Sequence, residues 1–203
     1  MTDCGCELKA GASAPERRAI RIALVLNLLM FVVGTTAGLV GQSSALLADA
    51  LDMLADAVAY GIALTAVGRG AVFKQRAAMV SGLILVLIAL GVLADVVRRA
   101  LIGSSPEGWI MIVPAILSLI VNATVLKMLA RFRTGEVHLR AAWIFTRADV
   151  IANIGVIVAG LVVIATGSGF ADLVVGFAIA IYVIREATEI LRDARVAQSG
   201  EGA

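Results

Sequence analysis

The chain has 203 residues, of which 61% are hydrophobic and 16% are charged, with a formal net charge of +2. Soluble domains usually contain about 45–50% apolar and about 25% charged residues, so a soluble enzyme, a nucleic-acid-binding protein and a disordered protein all fit poorly. The small net charge also gives no reason to expect a polyanionic partner. The composition predicts a compact protein that crosses a membrane several times.

Six apolar runs divide the chain, and each is about as long as the roughly 20 residues that a membrane-crossing helix needs. Their approximate bounds are 19–40, 44–67, 78–97, 109–130, 141–166 and 170–191. The runs are continuous and do not alternate with a period of two, so helices are predicted rather than strands. We expect an all-α fold with a six-helix membrane domain over 17–192, a mobile cytoplasmic tail over 1–16, and a short cytoplasmic tail over 193–203 with no C-terminal domain.

Lysine and arginine are distributed unevenly between alternate connections. Fourteen of them lie at the two ends and in the second–third and fourth–fifth connections, whereas the other set of connections contains only Arg98 and Arg99. Because positive residues are retained on the cytoplasmic side, both termini are expected there. The short connections Gly41–Ser43 and Gly167–Gly169 are then expected to face outside.

Acidic and amide side chains interrupt two of the apolar runs. Asp49, Asp52 and Asp56 follow one another at spacings of three and four residues, which places them on one face of the second helix. Asp149 and Asn153 share a face of the fifth helix. With a rise of about 1.5 Å per residue, Asp52, Asp56 and the fifth-helix pair each lie about 12 to 18 Å from a helix end, near the middle of a hydrocarbon core about 30 Å thick.

Carboxylates inside a bilayer are costly, and by default they mark function. Carboxylates that lie close together repel one another. A divalent cation removes this repulsion and releases protons as it binds. Asp52 and Asp56 on one helix, with Asp149 on a neighbour, can provide three corners of a tetrahedral site. Asp49 lies nearer the outer end and either contacts the ion or only bonds to a neighbouring helix. The alternative is a structural polar network, which would be favoured if Arg147 neutralised Asp149.

The remaining acids have simpler interpretations. Asp95 lies beside Arg98 and Arg99 near a helix end, which predicts an interfacial salt bridge. Asp172 opens the sixth run and is expected to interact with the helix dipole there.

The soft metal ligands are few. Cys4 and Cys6 are the only cysteines, and in a reducing cytosol they either hold a thiophilic ion or belong incidentally to a mobile tail. His138, the only histidine, lies in the predicted fourth–fifth connection and is expected to be solvated.

Residues 44–56 resemble the second transmembrane helix of the cation diffusion facilitators, a family of divalent-metal efflux transporters. Residues 140–156 resemble that family's fifth helix, and Asn27 and Asp172 also match the family in residue type. The resemblance covers about residues 17–192. It implies six helices with cytoplasmic termini, metal export in exchange for protons, and usually a homodimer.

The resemblance also implies which residues bind the metal. By position, Asp52 and Asp56 match the paired ligands of the second helix, and Asp149 matches the acid of the fifth-helix pair. Phe145 stands where the family usually has histidine, so the fourth ligand is expected to be Asn153 or water. The loss of an imidazole makes the site harder, which leaves cobalt, iron(II) and manganese open beside zinc and cadmium.

We therefore predict a transporter, not an enzyme, that exports a divalent metal across the bacterial inner membrane in exchange for protons. It is expected to need no cofactor beyond the transported ion, and to contact lipid but no nucleic acid.

The predicted homodimer would form through the transmembrane helices, because the chain ends about a dozen residues after its last apolar run and leaves no room for the family's cytoplasmic domain. That feature also leaves a non-transporting scaffold or metal-sensing subunit as the alternative. An intramembrane aspartyl protease fits poorly. Such an enzyme needs its two acids in Tyr-Asp and Gly-x-Gly-Asp motifs, whereas here Ala55 and Ala148 directly precede Asp56 and Asp149.

Overall fold

The structure is a computed structural model that describes residues 14–65, 71–130 and 137–200. Over these residues the chain forms six helices and no strand, as predicted. The helices are α1 (Ala14–Val40), α2 (Ser44–Thr65), α3 (Ala71–Ile102), α4 (Gly108–Ala130), α5 (Val137–Thr166) and α6 (Phe170–Gly200). The helix α6 continues beyond the predicted end at 191, so the expected polar tail from 193 is helical as far as Gly200. The alanine, arginine and glutamine in that stretch are good helix formers despite its polarity.

Within the described residues, four helices contain a segment that is long and apolar enough to cross a membrane. These segments are Arg17–Val40, Arg76–Ile102, Gly108–Met128 and Arg147–Thr166. Each of the four helices also presents large apolar side chains at the surface of the bundle, such as Leu29, Leu87, Ile120 and Leu161. Such a surface is stable in hydrocarbon, and the four helices therefore provide the lipid-facing wall of the bundle.

The helix α2 occupies the centre of the bundle, where it packs against all five other helices. Twelve of its 22 residues are buried, and many of them are alanines, including Ala45, Ala48 and Ala55. Small side chains let the surrounding helices approach closely. The acids of α2 are thereby held inside protein and away from lipid.

Three short connections meet at one end of the bundle, which we call the loop face: Gly41–Ser43, 103–107 and Gly167–Gly169. The Glu107 N–H donates to the Gly41 carbonyl at 3.0 Å, and Gly169 packs against Pro106 and Ser104. The helices α3 and α5 end at Gly103 and Gly167, whose φ angles of 97° and 68° suit glycine. The three connections therefore form one continuous surface.

The salt bridge predicted for Asp95 is present near the loop face. Asp95 contacts Arg98 at 2.7 Å and Arg99 at 2.5 Å. Arg99 is buried and also donates to the carbonyl of Gln42, which has a positive φ of 49° in the turn between α1 and α2. The pair thus ties the end of α3 to this turn.

Asp172 and Gly176 set the register between α6 and α2. Asp172 lies in the first turn of α6, as predicted, but its carboxylate caps the neighbouring helix. It accepts hydrogen bonds from the Ser43 hydroxyl at 2.5 Å, from the Ser44 N–H at 2.8 Å and from the Ala45 N–H at 3.0 Å. One turn later, a Cβ on Gly176 would lie 2.8 Å from the Ser44 carbonyl carbon, so only glycine permits this approach. The two helices therefore run side by side from the loop face in a fixed register.

Candidate metal site

Three of the predicted ligands lie together in the interior. Asp52 and Asp56 project from consecutive turns of α2, and Asp149 projects from α5, which packs against α2. Asp52 and Asp149 are each only 3% exposed, and Asp56 is half-buried. Asp149 lies close enough to Asp52 and Asp56 for its carboxyl group to interact with both of theirs. The structure thus brings acids from two helices into direct contact.

Close approach of carboxyl groups has a chemical consequence. An ionised carboxylate offers only acceptors, so two of them can share a hydrogen bond only when one carries a proton. The Asp52–Asp149 and Asp56–Asp149 contacts therefore suit a site whose negative charge is neutralised either by protons or by a cation. This arrangement is chemically able to exchange protons for a divalent ion.

No described basic side chain neutralises these acids. The ion pairs among the described residues join Asp95 to Arg98 and Arg99, and Arg185 to Glu189. The side chain of Arg147 is exposed. Among the described residues it forms no ion pair with Asp149, so the alternative in which Arg147 neutralises Asp149 is not supported. In addition, Asp149 Oδ2 is buried and has no hydrogen-bond partner. An acceptor left in this state costs free energy unless a proton donor or a cation reaches it.

The three acids are close in pairs and are not arranged around one point. Within residues whose side chains the structure describes, no group of three or more His, Cys, Asp and Glu is placed to hold a metal ion as it stands. A cation that bound here would have to draw the carboxylates of α2 and α5 around itself.

Asn153, the predicted additional ligand, takes part in a separate polar network. Its Nδ2 donates to Asp49 Oδ1 at 2.5 Å, and its Oδ1 accepts from Asn122 Nδ2 at 3.2 Å. Ser118 also hydrogen-bonds to Asp49. Both ends of the Asn153 amide are thus engaged, and Asp49 bonds to a neighbouring helix, which was one of its two expected roles. For Asn153 to bind a metal through Oδ1, it would have to replace the contact with Asn122.

Asn27, which matches the family in residue type, is fully buried on α1. Its Nδ2 donates to the Ala23 carbonyl at 2.9 Å, and its Oδ1 has no partner. The described contacts do not join Asn27 to the three acids.

Three residues near the acids were missed from the sequence: Ser118 and Asn122 on α4, and Glu186 on α6. The signals were available, because a lone amide inside an apolar helix and an acid inside a predicted span both carry a cost that implies a polar partner. Asn122 lies in the middle of the fourth apolar run, and Glu186 lies within the sixth. Glu186 lies beside Arg185, near the end of that run, where a charged residue is ordinarily read as facing the membrane surface.

Several predicted residues lie outside the description. Cys4 and Cys6 belong to residues that the structure does not describe, and so does the whole range 1–13. His138 and Phe145 lie in α5, but their side chains are not described. The predictions for these four residues therefore stay as predictions.

The fold and the interior acids define a class of protein, a polytopic membrane protein with a carboxylate cluster between two of its helices. A family model described as the cation efflux transmembrane domain matches residues 20–197. The chain therefore belongs to the cation diffusion facilitator family, as the sequence resemblance implied.

The curated relatives are transport proteins. The metal cation efflux system protein CzcD of Cupriavidus metallidurans is 26% identical over 190 residues, which cover 88% of this chain and 60% of that protein. The cadmium, cobalt and zinc/H(+)-K(+) antiporter of Bacillus subtilis is 26% identical over 123 residues, or 60% of this chain and 40% of that protein. The zinc transporter ZitB of Escherichia coli is 30% identical over 118 residues, or 58% of this chain and 38% of that protein. The chain thus spans at most about three fifths of the length of these relatives.

Proposed function

We propose that this protein exports a divalent transition-metal cation from the cytosol across the bacterial inner membrane in exchange for protons. Asp52, Asp56 and Asp149 bind the ion between α2 and α5, and Asn153 is available as a further ligand if it releases Asn122. Both termini face the cytoplasm, and two copies associate through their transmembrane helices.

One observation carries the proposal. Acids from two helices meet in a buried position, and no basic side chain among the described residues neutralises them. One oxygen of Asp149 has no hydrogen-bond partner. Such a cluster is unfavourable unless protons or a cation neutralise it. Protons and a divalent ion can both do so, and their competition for the same oxygens provides a mechanism for exchange.

The relatives support the class of cargo. The names of the relatives from Bacillus subtilis and Escherichia coli include zinc, cadmium and cobalt. The carboxylate-rich cluster of this chain also suits harder ions such as manganese or iron(II), because oxygen ligands favour them over ions that prefer imidazole or thiolate. A metal panel is therefore part of the test.

The test uses the full chain in proteoliposomes that contain a pH-sensitive dye. We expect that zinc, cadmium, cobalt or manganese added to one side moves protons in the opposite direction. Asp149→Asn should abolish this movement, because it removes a charge at nearly constant volume. Glu189→Gln is the matched control, since Glu189 is an exposed acid of α6.

Two outcomes would contradict the proposal. Normal transport by Asp149→Asn would show that the cation binds elsewhere. Metal binding by the wild-type protein without any proton or metal movement would instead favour a metal-sensing subunit or scaffold.

A further inference from the structure

Glu186 is an acid of α6 that lies near the three proposed ligands. It is half-buried, and its charge acts on Asp52, Asp56 and Asp149. Ile179 and Val183, which precede it on nearly the same face of α6, are both buried. Glu186 therefore lies on the side of α6 that packs into the bundle.

The register between α2 and α6 places Glu186 at the depth of the cluster. Both helices run from the loop face, and Gly176 touches Ser44 there. With a rise of about 1.5 Å per residue, Glu186 lies about 15 Å beyond this contact along α6. On the same measure, Asp52 and Asp56 lie about 12 Å and about 18 Å beyond it along α2. The carboxylate of Glu186 is thus level with the interval between the two acids of α2.

The described neighbours of Glu186 leave its charge uncompensated. The adjacent Arg185 points outward, where it pairs with Glu189 at 3.5 Å. Tyr182 lies close to Glu186 on α6, and its hydroxyl can donate to one carboxylate oxygen and leave the other available. The cluster therefore contains four acids from three helices.

A second observation indicates that this cluster is built for a ligand. Asp149 is 3% exposed, and its Oδ2 is buried without a hydrogen-bond partner. The charged neighbours that act on Asp149 are Asp52, Asp56 and Glu186. An unpartnered oxygen in this position is the kind of group that a bound cation satisfies.

We propose that Glu186 is a fourth ligand of the transported cation. The proposal rests on the proposed function, and it supplies from α6 the donor that a phenyl ring at Phe145 cannot supply from α5. A hydrogen bond from Tyr182 would orient the carboxylate, as a group behind a metal ligand commonly does. Four carboxylates form an oxygen-rich site, so Mn²⁺ is expected to compete better against Zn²⁺ here than at a site with an imidazole ligand.

The experiment measures metal binding separately from transport. The full chain in detergent is titrated calorimetrically with Mn²⁺, Co²⁺ and Zn²⁺, and the Co²⁺ absorption spectrum is recorded. Glu186→Gln should weaken Mn²⁺ binding by about tenfold or more, weaken Zn²⁺ binding less, and change the Co²⁺ spectrum. Glu189→Gln, one turn further along α6, should bind each metal as the wild type does.

The outcomes separate this inference from the proposed function. If Asp52→Asn loses binding while Glu186→Gln binds every metal like the wild type, the cation site stands and Glu186 is not a ligand. If the wild-type protein binds none of the metals, the proposed function itself fails. Should Glu186→Gln not yield folded protein, Glu186→Asp is expected to bind Mn²⁺ more weakly because its carboxylate is one methylene further away. Unchanged affinity for every metal in that variant would overturn the inference.

Discussion

Asp172 is expected to be one of the strongest single contributors to the stability of the bundle. Its carboxylate accepts three hydrogen bonds from the start of α2, from the Ser43 hydroxyl and from the N–H groups of Ser44 and Ala45. The residue is fully buried, so in Asp172→Ala water cannot easily replace the lost acceptor. The change therefore leaves buried donors at the beginning of the central helix without a partner.

The magnitude follows from the number of bonds. Hydrogen bonds inside membrane proteins average about 0.6 kcal/mol, and bonds to charged groups reach about 1.5 kcal/mol or more. Three of them place the loss for Asp172→Ala between about 2 and about 5 kcal/mol. Ser43→Ala is a graded comparison, because it removes one of these bonds together with the Leu46 N–H contact to the same hydroxyl.

The assay is unfolding of the detergent-solubilised protein in increasing SDS, followed by helical circular dichroism. Asp172→Ala should unfold at a markedly lower SDS fraction than the wild type, with Ser43→Ala between them. If Asp172→Ala unfolded together with the wild type, the cap between α6 and α2 would contribute nothing. The argument for a fixed register would then lose its main support.

Three further predictions concern the core and the site. Gly176→Ala should destabilise the protein by about 1–3 kcal/mol in the same assay, because its Cβ would lie 2.8 Å from backbone. Gly61→Ala, in the same bundle with open space around it, should be neutral or stabilising, and equal losses in the two variants would refute the packing argument. Asn153→Ala should cost about 1–3 kcal/mol by removing the Asn153 donor from buried Asp49, and a loss of metal affinity without any loss of stability would instead assign Asn153 to the cation. Phe145→His should shift transport preference toward zinc in a metal panel, and an unchanged ranking would show that this position is remote from the ion.

The helices could be predicted from the sequence because their signals are local. Each apolar run is long, and the spacing of Asp49, Asp52 and Asp56 defines one helix face without reference to any other part of the chain. The salt bridge of Asp95 was predictable for the same reason, since its partners lie three and four residues away. The meeting of Asp149 with the acids of α2 required a further step, which came from their shared depth in the membrane and was supported by the resemblance to a known family.

The contacts that depend on register could not be predicted. Glu186 reaches the cluster because Asp172 and Gly176 hold α6 against the start of α2, and these partners are about 130 residues apart in the chain. No periodicity within α6 encodes that alignment. Similarly, the bonds of Asn153 with Asp49 and Asn122 depend on how α2, α4 and α5 pack. The sequence shows only the spacing of Asn153 from Asp149, and that spacing favoured a ligand role.

The central position of α2 follows from the cost of its acids. A carboxylate at the middle of a membrane helix costs about 2.5–3.5 kcal/mol on insertion scales, so three acids on α2 would cost about 7.5–10.5 kcal/mol against lipid. The apolar helices that surround α2 remove its acids from lipid, and the acids of α5 and α6 then lie beside them. The repulsion that remains among these carboxylates is the term that a proton or a divalent cation can remove. A cation binding there would act on the helix that contacts every other helix in the bundle, which is where a change in charge has the widest structural effect.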